Sequence, residues 1–136
     1  MNCMTDSIDP KCKHTIHPNG VHEFSLTDSS IASAEAYIHE LEEIYLTRTP
    51  SSPTLRCLFD GGTGTLPISF TMQRGKELIT KFPNIGLIRT ASLTDKMVEI
   101  RLATSFMRLI RFPNTSVRFF ELSRRDDAIA WLLQDD

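Results

Sequence analysis

The chain has 136 residues, 40% apolar and 24% charged, the composition of one ordinary domain long enough to close a core. A formal charge of −2, with acidic and basic residues mixed along the chain, excludes a global pull toward nucleic acid, and no window approaches the length of a membrane span. Three cysteines, Cys3, Cys12 and Cys57, stand at unrelated spacings that fit neither a disulfide framework nor a paired zinc motif, so a reduced, cytoplasmic chain is expected.

The start, MNCMTDSIDP, lacks the basic and apolar regions of a signal peptide, and residues 1–10 read as a mobile tail before a single domain over 11–136. From Lys11 to His17 the pattern alternates, with Cys12, His14 and Ile16 on one face, and Val21 to Leu26 continues it after Pro18-Asn19-Gly20. Proline suits the first central position of a turn and Gly20 accepts positive φ, so the two runs are predicted to pair as an antiparallel hairpin. Asp28, Ser29 and Ser30 offer N-caps to a first helix ending near Leu46. Ile31, Ala34, Ile38, Leu41 and Tyr45 form its inner stripe, and Glu35, Glu40, Glu42 and Glu43 a solvated acidic surface. Thr47 to Pro53 is a connecting loop.

Leu55 to Phe59 carries large apolar side chains on both parities, as a strand covered on both faces does. Beyond a glycine-rich loop, Pro67 opens a second helix on which Ile68, Met72, Gly75, Leu78, Ile79 and Phe82 share a face. Gly75 in that stripe predicts close approach to a strand, and Phe70 is expected exposed on the polar side. Ile85 to Ile88 reads as a short buried strand, followed by a Ser/Thr-rich turn in which Ser92 and Asp95 make a capping box for a third helix, Lys96 to about Arg111. Val117 to Leu122 is the last strand, and Ser123 with Asp126 caps a closing helix, Asp127 to Leu133. The predicted class is α/β, order β-β-α-β-α-β-α-β-α: a mainly parallel sheet of four to five strands with an N-terminal antiparallel hairpin, four helices and right-handed crossovers.

Few of these residues carry chemistry in a recognisable pattern. In the loop Asp60, Gly61, Gly62, Thr63, Gly64, Thr65 the glycines let backbone N–H groups converge ahead of a helix N-terminus, the makings of a site for a small anion, nucleotide or lipid headgroup. The loop is not GxxxxGK[ST] and holds no lysine or arginine, so a turn serving as a contact edge is preferred. His14, His17, His22 and Cys12 flank one hairpin, but strand alternation sends His14 and His17 to opposite faces, so no metal and no cofactor are expected. Cys57 lies mid-strand, where a thiol behaves as a small hydrophobe; with no GxSxG and no distinct carboxylate pair, no catalytic residue is assigned and an enzyme is not expected. Arg101, Arg108 and Arg111 form a basic stripe opposite the apolar arc of the third helix. Burying that arc in the core leaves little to enter lipid, which argues against membrane contact, while the arginines suit an acidic partner surface.

The element order, together with the closing stretch VRFFELSRRDDAIAWLL, resembles the STAS-like superfamily, the anti-sigma-factor-antagonist or SpoIIAA-like fold, and more narrowly its uncharacterised bacterial STAS/SEC-fourteen-like branch. The resemblance spans roughly His14 to Leu133, and its most specific part is Val117 to Phe120 followed by Asp127 to Leu132. It implies a non-catalytic regulatory domain that works through a protein partner, a second copy of itself included. Regulatory members carry a phosphorylated serine in an Asp-Ser-Ser/Thr-Gly motif after the third strand. Asp60 to Thr65 occupies that position without the motif, so no phosphosite carries over; Thr63 and Thr65 are the nearest hydroxyls.

Overall fold

The computed structural model describes residues 11–61, 68–94, 101, 104, 105 and 114–135. Strands β1 (Cys12–Ile16) and β2 (His22–Leu26) form the antiparallel hairpin, in register from Cys12 opposite Leu26 to Ile16 opposite His22. Gly20 N donates to His17 O and His17 N to Val21 O, both at 2.9 Å, and Gly20 takes φ +87°, the left-handed geometry that closes a three-residue loop. Helix α1 (Ile31–Tyr45) starts at Ser30, whose side chain accepts from Ser33 N at 3.2 Å. Then follow β3 (Leu55–Asp60), α2 (Ile68–Lys81), β4 (Ile88–Thr94), β5 (Thr115–Glu121), a 3-10 turn (Leu122–Arg124) and α3 (Arg125–Leu132).

The five strands lie side by side in chain order, β2 to β5 all parallel. Strand alternation divides the core in two. On one face Phe24, Leu55, Cys57, Phe59 and Ile88 meet Tyr37, Ile38, Leu41 and Tyr45 of α1 and Leu78 and Ile79 of α2. On the other, Val21, Leu58, Ala91, Leu93 and Phe120 meet Ala128 and Leu132 of α3. β3 is covered on both sides, as its apolar side chains on both parities predict.

Several expectations need correction. Ser92 is not a helix cap: strand β4 begins at Ile88 and continues through Thr94, because Ala91 and Leu93 bury against the second core while the strand pairs with both β3 and β5. Ser123 lies in the 3-10 turn, and α3 begins at Arg125 with no side-chain cap. Gly75 makes no close approach to the described residues, since an added Cβ would meet none of them within 4 Å. Phe70 is half-buried; eight residues before Leu78, it stands roughly 80° round the helix, on the flank of the inner stripe. Ile31, placed on the inner stripe, is 56% exposed, and Ile16, placed on the face of Cys12 and His14, is 63% exposed, each lying at the end of its element. Three helices lie among the described residues; the expected third, Lys96 to Arg111, falls mostly outside them, with Arg101, Thr104 and Ser105 in helical conformation. No described helix is long and apolar enough to cross a membrane.

Candidate functional site

In open parallel sheets, ligands and partners are received at the carboxyl ends of the strands. Here that edge is formed by Leu26, Asp60, Thr94 and Glu121 as their strands end. Asp60 is half-buried and Gly61 buried, so the glycine loop leaves from the centre of the sheet. Gly62, Thr63, Gly64 and Thr65 lie outside the described residues, as do Arg108 and Arg111 of the basic stripe; Arg101 is exposed.

Beside this edge the second face carries a charged cluster. Glu23 of β2 has a side chain only 13% exposed, and its Oε1 accepts from Arg125 at the start of α3 and from His17 Nε2 at 2.6 Å. Burial pushes the Glu23 carboxyl up, but the hydrogen bonds and charges of Arg125 and His17 outweigh it and hold the group below its ordinary value. Chiefly through that bond with Glu23, and with Asp60 also contributing its field, Arg125 is raised in turn. The cluster thus fixes the last helix against the hairpin, and sequence spacing gives no sign of it: 102 residues separate Arg125 from Glu23.

The far end of α3 is held by a second device. Arg56 and Arg89 are direct neighbours on β3 and β4, and both aim at the carbonyl end of the helix. Arg56 Nε donates to Leu132 O, and Arg89 Nη1 to Trp131 O at 3.1 Å and Gln134 O at 2.7 Å. Two guanidinium groups therefore satisfy carbonyls that a helix end leaves open, where its dipole favours cations. Arg89 also lies over the Trp131 ring, 5.5 Å from its centre.

At the opposite edge of the sheet a cleft of about 460 Å³ is lined by residues that include His14, His22, Glu40, Arg48, Pro53 and Leu55. Arg48 pins the loop walls together, Nε donating to Ile85 O at 2.9 Å and Nη2 to Pro53 O at 2.8 Å. His14 Nε2 and His22 Nδ1 are 3.0 Å apart, and His14 Nδ1 is 3.4 Å from Glu40. No sequence motif announces this pair, although the hairpin register, His14 opposite Phe24 and Ile16 opposite His22, places positions 14 and 22 diagonally on one face. His17 does stand on the other face, as alternation predicts. The acidic surface of α1 is more engaged than expected: Glu35 and Glu42 bridge to Arg74 and Lys81 of α2, each at 2.6 Å.

Cys57 is wholly buried at the centre of the first core, and burial pushes its thiol up to about 12. Among the described residues no group of three or more His, Cys, Asp or Glu side chains converges as metal ligands. No family model matches this chain, and neither a curated protein nor a solved structure is found to match it.

Proposed function

We propose that the chain is a cytoplasmic, non-catalytic regulatory domain of the STAS-like superfamily that works by protein contact through its glycine-loop edge. Asp60 to Thr65, Phe70 and the basic stripe Arg101, Arg108 and Arg111 form the contact surface, and the partner is another protein or a second copy of the chain. One observation carries this reading: the described interior groups able to act as nucleophile, acid or base are already spent on the fold. Cys57 is a neutral core thiol, Glu23 is bound by Arg125 and His17, and His14 by His22. The arrangement of an antiparallel opening pair followed by parallel strands in chain order supports the family reading.

The test pairs light scattering and capture from native lysate with Thr63→Glu/Thr65→Glu and Arg101→Glu variants. A dimer or a captured protein that both variants lose is the expected result. A monomer that captures nothing sinks the reading. A small-molecule stabiliser found by thermal shift, with phosphate, nucleotides and lipid headgroups as probes, and lost in Gly62→Val would replace it with ligand binding at the same loop.

A further inference from the structure

His14 and His22 sit where β1, β2, α1 and the loop after α1 meet. Their ring centres are 5.2 Å apart with planes inclined by 21°, and the facing nitrogens are 3.0 Å apart. The centre separation is nearly the nitrogen separation plus the two ring radii, so the rings meet end to end and almost coplanar. Two imidazoles sharing a tetrahedral metal would aim their lone pairs at a common point to one side; here each nitrogen aims at the other. The geometry is that of one proton held between two nitrogens.

We propose that His14 and His22 form a one-proton switch: a single shared proton ties β1 to β2 beside the contact of His14 with Glu40 of α1, and a second proton breaks that tie and loosens this end of the domain. His14 turns Nδ1 to Glu40 at 3.4 Å and Nε2 to His22 at 3.0 Å, and its ring stacks on Phe24 with centres 4.6 Å apart. A second proton has to sit on His22 Nδ1, where it meets the His14 N–H head on. The other groups around His22 give it little relief. Arg48 is a further cation, Glu40 already faces His14, Glu43 is 3.8 Å from His39, and burial raises the Cys57 thiol and Tyr45 phenol so that both stay neutral. His22 is accordingly held below its ordinary value by burial, by His14 and by Arg48.

With its folded value below the ordinary 6.5, His22 takes up its proton more readily in the unfolded chain, so its part of the stability is full above 6.5 and is lost as pH falls from there through the folded value. The experiment is an NMR titration of the imidazole nitrogens from about pH 8 to about pH 5, with urea unfolding of the wild type, His22→Gln and His17→Gln in parallel. The expected result is a His22 that keeps Nδ1 unprotonated until well below the ordinary value. The unfolding constant should rise by up to about tenfold per pH unit in that window. Exchange of the β1 amides, corrected for intrinsic rates, should rise first. His22→Gln, a neutral acceptor for His14, should flatten the slope, whereas His17→Gln on the other face should keep it. A His22 carrying protons on both nitrogens at pH 7 in the folded protein, or a His22→Gln slope equal to wild type, overturns the proposal. The wild-type titration decides the matter if His22→Gln does not fold.

Discussion

Replacing Gly86 by alanine separates backbone strain from contact loss, because Gly20 and Gly75 supply the controls. Gly86 has φ +84°, and a Cβ there would lie 3.2 Å from both Arg48 Nη2 and Ser52 O. Left-handed backbone costs an alanine about 1–2 kcal/mol. Ser52 O is backbone in a turn closed by Ser52 N donating to Thr49 O at 3.0 Å, so the relief falls on Arg48. Its Nη2 must shift from Pro53 O and Leu87 O, and weakening partly exposed charged hydrogen bonds adds about 1 kcal/mol. The sum is about 2–3 kcal/mol. Gly20, at φ +87° with no described residue within 4 Å of an added Cβ, should lose only the backbone part, about 1–2 kcal/mol. Gly75 is helical and an added Cβ would meet none of the described residues within 4 Å, so alanine there should gain about 1 kcal/mol. At roughly 3–5 °C per kcal/mol for a domain of this size, calorimetry should order the Tm values Gly75→Ala, wild type, Gly20→Ala, Gly86→Ala. Combining Gly86→Ala with Arg48→Ala should cost less than the two losses added. Equal losses at Gly86 and Gly20, or full additivity with Arg48→Ala, would refute the contact with Arg48 as the cause.

Two further outcomes rest on the interior groups. Glu23→Gln should lose about 1–3 kcal/mol in urea at pH 7, because Arg125 and His17 keep a half-covered site without its charge. Since Glu23 is held below its ordinary 4.5, its contribution is present above that value and is lost as pH falls through the lower folded value; the glutamine variant should lack this part of the acid slope, and an unchanged slope would contradict the cluster. With an aromatic disulfide reagent near pH 8, the buried Cys12 and Cys57 should stay unlabelled in the native protein and react in urea, so that at most one of the three thiols labels before unfolding. Rapid native labelling of Cys57 would remove it from the core.

The parts of the fold legible in the sequence are those set by local pattern. The hairpin follows from alternation on either side of Pro18-Asn19-Gly20, α1 from Ser30 and the stripe Ala34, Ile38, Leu41 and Tyr45, and the two-sided burial of β3 from Leu55 to Phe59. The errors arise where tertiary pairing overrides local chemistry. Ser92 looks like a cap until β3 and β5 claim its backbone, and Gly75 looks like a packing device although no described residue approaches it. The contacts that hold the second face, Arg125 to Glu23 and Arg56 to Leu132, join residues 102 and 76 apart, and no periodicity encodes such a pairing. Of the candidate edge, composition located Asp60 and Gly61 at the end of the central strand. It gave no hint of the histidine pair at the other end, which depends on hairpin register.

The clamp of Arg56 and Arg89 on the last helix also bears on the order in which the chain assembles. Both arginines stand on neighbouring strands, so their combined grip exists only once β3 and β4 have paired. Until residues 125–132 have been synthesised and docked, the Leu58, Ala91 and Leu93 surface lacks the helix that covers it among the described residues. A nascent chain that has already built its first core thus passes through a stage with one bare sheet face, the kind of surface on which unfinished domains associate wrongly or recruit chaperones. The two guanidinium groups, waiting on that face for the carbonyls of α3, keep it from being wholly apolar in the interval and give the arriving helix a polar landmark for its final turn.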